Sequence, residues 1–347
     1  DAGANWDTLG DCGTTNARDL AISVEKGGNH FVAVAGDDGS AAEVWYYEIG
    51  AVGADWQDAH NDTGFESTNE ETARAVAFSP NFAADRQLVA VVTDETDTLV
   101  TTKVGGAGWG TTGQARLDRD NSGIPTPVTV AVSADIAFPD DYEVTTGHYG
   151  LFVAIDTGSG QGDVYHIDRT VATDLNIGLA YGLSNIDVTA LAVTGRAATA
   201  SLLAGAASSA QVYFSSDGGA TWTRSAKEPT GQAKTEVVMA PDFSNGRAYA
   251  ATSGAESAFS YTADGGATWN QLGLIDTQIS NILELAPSPN YSQDNTLFML
   301  TWGGEHSLWR SLNGGEEWER LYSSALTNVD SIDLVEPSPQ YDSQVVF

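Results

Sequence analysis

The chain has 347 residues, 41% of them hydrophobic and 9% aromatic, with nine Trp, enough apolar material for a large packed core, and it lacks any apolar run near the ~20 residues that carry a helix across a bilayer. Asp plus Glu number 47 against 15 Lys plus Arg, a net charge of −32; this excludes nucleic acid, whose binding needs cations to neutralise phosphates, and disfavours anionic membrane surfaces. Cys12 is the single cysteine, so packing or bound ions must supply the stability that disulfides give elsewhere.

Asp1, and not Met, opens the chain, which reads as an excised or processed piece of a longer product. The first residues, "DAGANW" (1–6), form a turn that runs into a strand, "NWDTL". A first repeat over 17–62 closes near "AVGADW" (51–56). A second, 73–118, contains "VAFSPNF" (76–82), the run "QLVAVV" and the turn "VGGAGW" (104–109). The third, 128–174, has the variant "IAFPDDY" (136–142) and ends on "GDVYHIDRT" (162–170). A fourth, 188–228, carries "SSDGGATWTR" (215–224). The fifth, 235–274, has "VVMAPDF" (237–243) and "TADGGATWNQ" (262–271). The sixth, 280–323, has "LAPSPNY" (285–291) and "SLNGGEEWER" (311–320). "VEPSPQY" (335–341) and "SQVVF" end the chain.

Each repeat reads strand, Pro-containing turn, strand, strand, Gly-Gly turn, strand. Four strands per ~50 residues, repeated, is the signature of a β-propeller. The expected fold is all-β: a seven-bladed β-propeller of four-stranded antiparallel blades in one domain, 1–347. Its ring closes when a half-blade from 1–10 joins a half-blade from 330–347, leaving no exposed sheet edge.

The recurring turn resembles the Asp-box, or BNR repeat. Asp217, Gly219 and Trp222 match it, as do Asp264, Gly266 and Trp269; Asn313, Gly315 and Trp318 match with Asn in place of Asp, and Asp1, Gly3 and Trp6 fall at the same spacing. The resemblance implies that each box is the hairpin between the third and fourth strands of a blade. The chemistry agrees: Asp or Asn accepts backbone N–H groups, Gly takes positive φ, and Trp wedges against the sheet. A box that locks a turn specifies no reaction.

Sialidases share the box, but also an Arg-Ile-Pro segment and an arginine triad. Here Ile124-Pro125 follows Gly123, and the arginines form no such pattern. Xyloglucan-cleaving enzymes with tandem propellers use two carboxylates, a pair that so acidic a chain could supply. Photosystem assembly factors with the box use a basic patch, which is missing here. The five His have no metal-ligand spacing. In "DRDNSG" (118–123), Asp118, Asp120 and Ser122 alternate before Gly123. Oxygens so spaced can converge on Ca²⁺, or the stretch is an acidic turn, since position 129 is Thr where a Ca²⁺ loop would place Glu.

The expectation is a non-catalytic extracellular or cell-surface domain, a surface-layer, adhesin or appendage component. Its partners would be other copies of itself, surface proteins or glycans, with neither nucleic acid nor membrane insertion. The alternative is a glycoside hydrolase with a carboxylate pair.

Overall fold

The computed structural model describes residues 8–65, 71–94, 96–120, 125–254, 257–274, 279–323, 332 and 334–339. They build six four-stranded antiparallel sheets, each strand beside its sequence neighbour. Blade one comprises Asn16–Ile22, His30–Asp37, Ala42–Ile49 and Gln57–Asp58. Blade two comprises Thr72–Phe78, Gln87–Thr93, Thr98–Val104 and Gln114–Arg116; blade three, Ser133–Ala137, Gly150–Asp156, Val164–Asp168 and Val171–Asp174. Blade four comprises Val188–Thr194, Ser201–Ala206, Val212–Ser215 and Thr223–Arg224; blade five, Thr235–Met239, Ala248–Thr252, Ala258–Thr262 and Asn270–Leu274. Blade six comprises Asn281–Pro287, Leu297–Trp302, His306–Ser311 and Glu319–Ser323.

The chain divides into two compact units, the first reaching Asp187 and including Gly195–Ala198, the second made of Val188–Thr194 and the chain from Thr199 on. Blades one to three lie in the first, and four to six in the second. The second strand of each blade is covered on both faces, so its sequence is a continuous apolar run: all seven residues of Gln87–Thr93 are buried. Outermost strands are short, as in Gln57–Asp58 and Thr223–Arg224, which limits the unpaired edge offered to another chain.

The expected seventh blade is corrected to six. The segments meant to share it, 1–10 and 330–347, fall mostly outside the described residues, among them the box residues Asp1, Gly3 and Trp6. Of the described part, Val335 joins no four-stranded sheet. It packs on Phe298, Leu300 and Leu308 of blade six, and its N–H donates to Glu284 Oε2 at 2.5 Å. The count of seven rested on complementary chain ends, and apolar alternation alone does not tell a blade strand from a segment laid against one.

Within each unit, neighbouring blades meet through apolar seams, and Trp109, Trp269 and Trp318 reach back across them. In the first unit Trp109 of blade two packs on Phe65 (ring centroids 5.2 Å apart), and its indole N–H donates to the Ala59 carbonyl at 2.8 Å. In the second unit Trp269 of blade five, 1% exposed, packs with Leu203 and Val212 of blade four and donates to Ser225 Oγ at 3.1 Å. Trp318 of blade six meets Phe259 of blade five edge-on at 5.2 Å. Trp269→Ala should therefore loosen a blade-to-blade seam and cost ~3–5 kcal/mol, as loss of a buried aromatic does. Urea denaturation monitored by circular dichroism reads this directly; a change under ~1 kcal/mol would mean the indole is not what joins the blades.

Candidate functional site

The turns singled out in the sequence hold themselves by a repeated hydrogen-bond set. Asp217 Oδ1 accepts the Thr221 N–H at 2.9 Å and its Oδ2 the Thr221 hydroxyl at 2.6 Å, while Ser215 Oγ accepts the Gly219 N–H at 3.0 Å. One blade on, Asp264 takes the Thr268 N–H at 2.9 Å and hydroxyl at 2.7 Å, and Thr262 Oγ1 takes the Gly266 N–H at 3.1 Å. Asn313 Oδ1 takes the Glu317 N–H at 2.9 Å and Ser311 Oγ the Gly315 N–H at 2.7 Å. The Thr221 hydroxyl and N–H hold the Asp217 carboxyl below its usual range; for Asp264, hydrogen bonds from Thr268 and Thr262 outweigh the upward pull of burial. Gly315 has φ +92°, and a Cβ there would lie 1.9 Å from the Phe259 ring, so the position needs Gly both for its backbone and for the approach of the preceding blade. Trp222 is buried.

Of the candidate cation loop, Asp118 and Asp120 lie among the described residues. Asp118 Oδ2 pairs with Arg116 at 3.1 Å, and the Asp120 main-chain N–H donates to Asp174 Oδ2 at 3.0 Å. Ser122 lies outside the described residues. Among the described residues no three His, Cys, Asp or Glu side chains gather as a metal site requires.

Two acidic groups emerge that no spacing rule reveals. Asp163 is fully buried; its Oδ1 accepts the N–H groups of Val164 (2.8 Å) and Ile177 (3.1 Å), and its Oδ2 has no partner among the described residues. Burial first, then the Asp174 charge, pushes its carboxyl well above the usual range, and burial raises Asp174 too. The second group lies on the inner strands of blades one to three. Asp19 follows a bulge and accepts the N–H of Val76 on blade two (2.7 Å) and of Leu20 (2.8 Å). Burial pushes its carboxyl up to about 7 against those bonds, with Asp135 of blade three adding repulsion.

A cleft of about 520 Å³ opens where blades one and two meet. Phe31, Tyr46, Phe78, Phe82 and Leu88 contribute apolar surface; Lys26, Arg86 and Lys103 contribute cations, and Glu48 and Asp55 acids. Lys103 is already engaged, 2.8 Å from Asp62 and 2.8 Å from the Ala107 carbonyl. Val52, fully exposed, stands on the loop that borders the cleft.

A sequence profile of the Sortilin-Vps10 family (sortilin, neurotensin receptor 3) matches residues 210–343. No curated protein matches the chain. Among solved structures, the GH74 xyloglucanase of Xanthomonas campestris superposes with a TM-score of 0.61 at 15% identity over 91% of this chain and 46% of that enzyme, so the chain spans under half its length. YCF48 from Cyanidioschyzon merolae superposes with a TM-score of 0.58 at 13% identity, over 97% of this chain and 94% of YCF48. A structure of YCF48 bound to D1 peptide gives 0.55 at 16% identity, over 94% and 87% of the two chains. These similarities establish the β-propeller fold class.

Asp19 generates a pH prediction. Its folded pKa of about 7 exceeds the ordinary 3.8, so the folded chain keeps a proton there that the unfolded chain has released. The associated stability is full below about pH 4 and lost as the pH rises through 7. Asp19→Asn should remove that loss, giving a melting temperature higher than wild type at pH 8 and a smaller drop between pH 5 and 8. Identical drops in both proteins, measured by scanning calorimetry, would show that Asp19 does not hold the proton.

Proposed function

We propose that this chain is a non-catalytic binding or assembly domain of the extracellular or cell-surface kind, whose partners are further copies of itself, surface proteins or glycans. In this reading the turns at 215–222, 262–269 and 311–318 are Asp-boxes that clamp blades and take no part in ligand chemistry. The observation that carries it is the fold shared with YCF48, a protein also seen bound to a peptide. The family profile over 210–343 carries a receptor's description and supports the same class. A surface with 47 acids and 15 bases stays solvated and self-repelling at low salt, which suits a protein that assembles only where cations screen it.

A glycoside hydrolase is the second reading, favoured by one observation: burial raises the Asp19 carboxyl to about 7, where a general acid works, with Asp135 adding a smaller repulsion. The two readings part in one set of measurements. Sedimentation velocity across NaCl concentrations should show larger species as salt rises, and a glycan array should show retention without cleavage. Incubation with xyloglucan from pH 5 to 8 should release no reducing ends. Turnover that disappears in both Asp19→Asn and Asp135→Asn would overturn the binding reading in favour of the hydrolase.

A further inference from the structure

We propose that the cleft between blades one and two binds a small amphipathic carboxylate, an aromatic or branched aliphatic body carrying a single carboxylate. The proposal is independent of self-assembly and of the partner class above. Its volume, about 520 Å³, falls within the range of small-molecule sites, which combine an apolar lining with a few placed polar groups.

For so acidic a chain, the lining is rich in cations. The lining has three cations to two carboxylates, where the whole chain has 15 to 47. Both acids of the lining already hold hydrogen bonds: Glu48 accepts from the Asn29 amide at 2.9 Å, and Asp55 accepts the Trp56 N–H at 2.9 Å. Lys103 is neutralised by Asp62. Lys26 and Arg86 make no ion pair among the described residues. The Lys26 ammonium stands 5.7 Å from the centroid of the Phe31 ring, which places a cation directly over the aromatic floor.

Arg86 supplies the second line of argument. It caps the helical turn Phe82–Asp85 in the left-handed conformation, φ +56°. The same cap after Phe243–Asn245 in blade five is Gly246, and after Tyr291–Asp294 in blade six it is Asn295. Gly and Asn adopt this conformation readily, whereas Arg does so at a cost. Gly105 yields space to it: a Cβ at that position would lie 2.4 Å from Arg86 Nη2. The repeat thus departs from its least costly residue at the one cap that lines the cleft. A guanidinium at that point presents a planar pair of donors suited to a carboxylate.

The test uses phenylacetate and 3-methylbutyrate, each against its neutral amide, by isothermal titration and saturation-transfer NMR on the intact chain. Both acids should bind saturably and the amides about tenfold or more weakly, a full charge-assisted contact. Arg86→Asn keeps the left-handed cap, so it should leave the melting temperature unchanged or raise it while weakening phenylacetate about tenfold. Lys26→Met should weaken it in the same direction with its fold intact. Equal affinity for acid and amide, undiminished binding in both variants, or no saturable binding of either acid would each overturn the proposal.

Discussion

The joins of blade one to two, four to five and five to six each depend on a Trp held in a seam that its own blade does not contain. Trp109, Trp269 and Trp318 each leave their hairpin and fill the side of the preceding blade. An indole can do this only if the turn that launches it is rigid. For Trp269 the Asp264–Thr268 and Thr262–Gly266 hydrogen bonds supply that rigidity, for Trp318 the Asn313–Glu317 and Ser311–Gly315 bonds, and the paired glycines let the turn approach the neighbour. Clamp and wedge are therefore one device. Loosening the clamp would be felt at the seam, some distance from the substituted residue, because packed interiors transmit strain.

The acidic composition has a related origin. Many of the carboxylates close turns. Asp38 accepts the N–H groups of Ser40 and Ala41, both at 2.8 Å, and Asp187 collects N–H groups from Thr157, Gly160 and Gly162 between 2.6 and 3.0 Å. Such acids are more acidic than usual: hydrogen bonds lower Asp38 directly and outweigh the effect of burial at Asp187. They support the fold down to low pH and cease to do so only as they protonate. Asp19, Asp163 and Asp174 work in the opposite sense, since burial favours their neutral forms. The fold is thus squeezed between two carboxyl populations, one lost in acid and one that burial keeps from ionising.

How far this could be read in the sequence follows from the range of each interaction. The strands, the Pro turns and the Gly-Gly hairpins are encoded within ten residues and are legible as apolar alternation and turn chemistry. The destination of the Trp was not: "GGATW" shows an indole after a turn but not which sheet receives it. The blade count failed for the same reason, because Val335 seats itself on blade six through contacts to residues near 298–308. The spacing of Asp118 and Asp120 could not show that the Asp120 main-chain N–H reaches Asp174, 54 residues on. Asp163 looks like any other acid in a chain of 47 until burial singles it out, and Asp19 until the bulge sets it against the Val76 N–H of the next blade.

Because the repeated parts are spent on holding blades together, chemistry has to be sought where repeats differ. The bulged inner strands illustrate the rule. Asp19 on blade one and Glu284 on blade six each accept a main-chain N–H from a later segment, Val76 and Val335, at 2.7 and 2.5 Å. The position is shared, yet at Asp19 burial, with a smaller repulsion from Asp135, raises the carboxyl. The caps of the helical turns show a sharper departure, with Arg86 where blades five and six have Gly246 and Asn295. A scaffold that repeats its clamps can accept such exceptions, because a seam built from many contacts tolerates one locally costly residue without unfolding. The cleft beside Arg86 is such an exception, and its aromatic floor comes from the same Phe31, Phe78 and Phe82 that pack blade one onto blade two. Binding there would press on the seam itself, coupling ligand occupancy to the contact on which the fold depends.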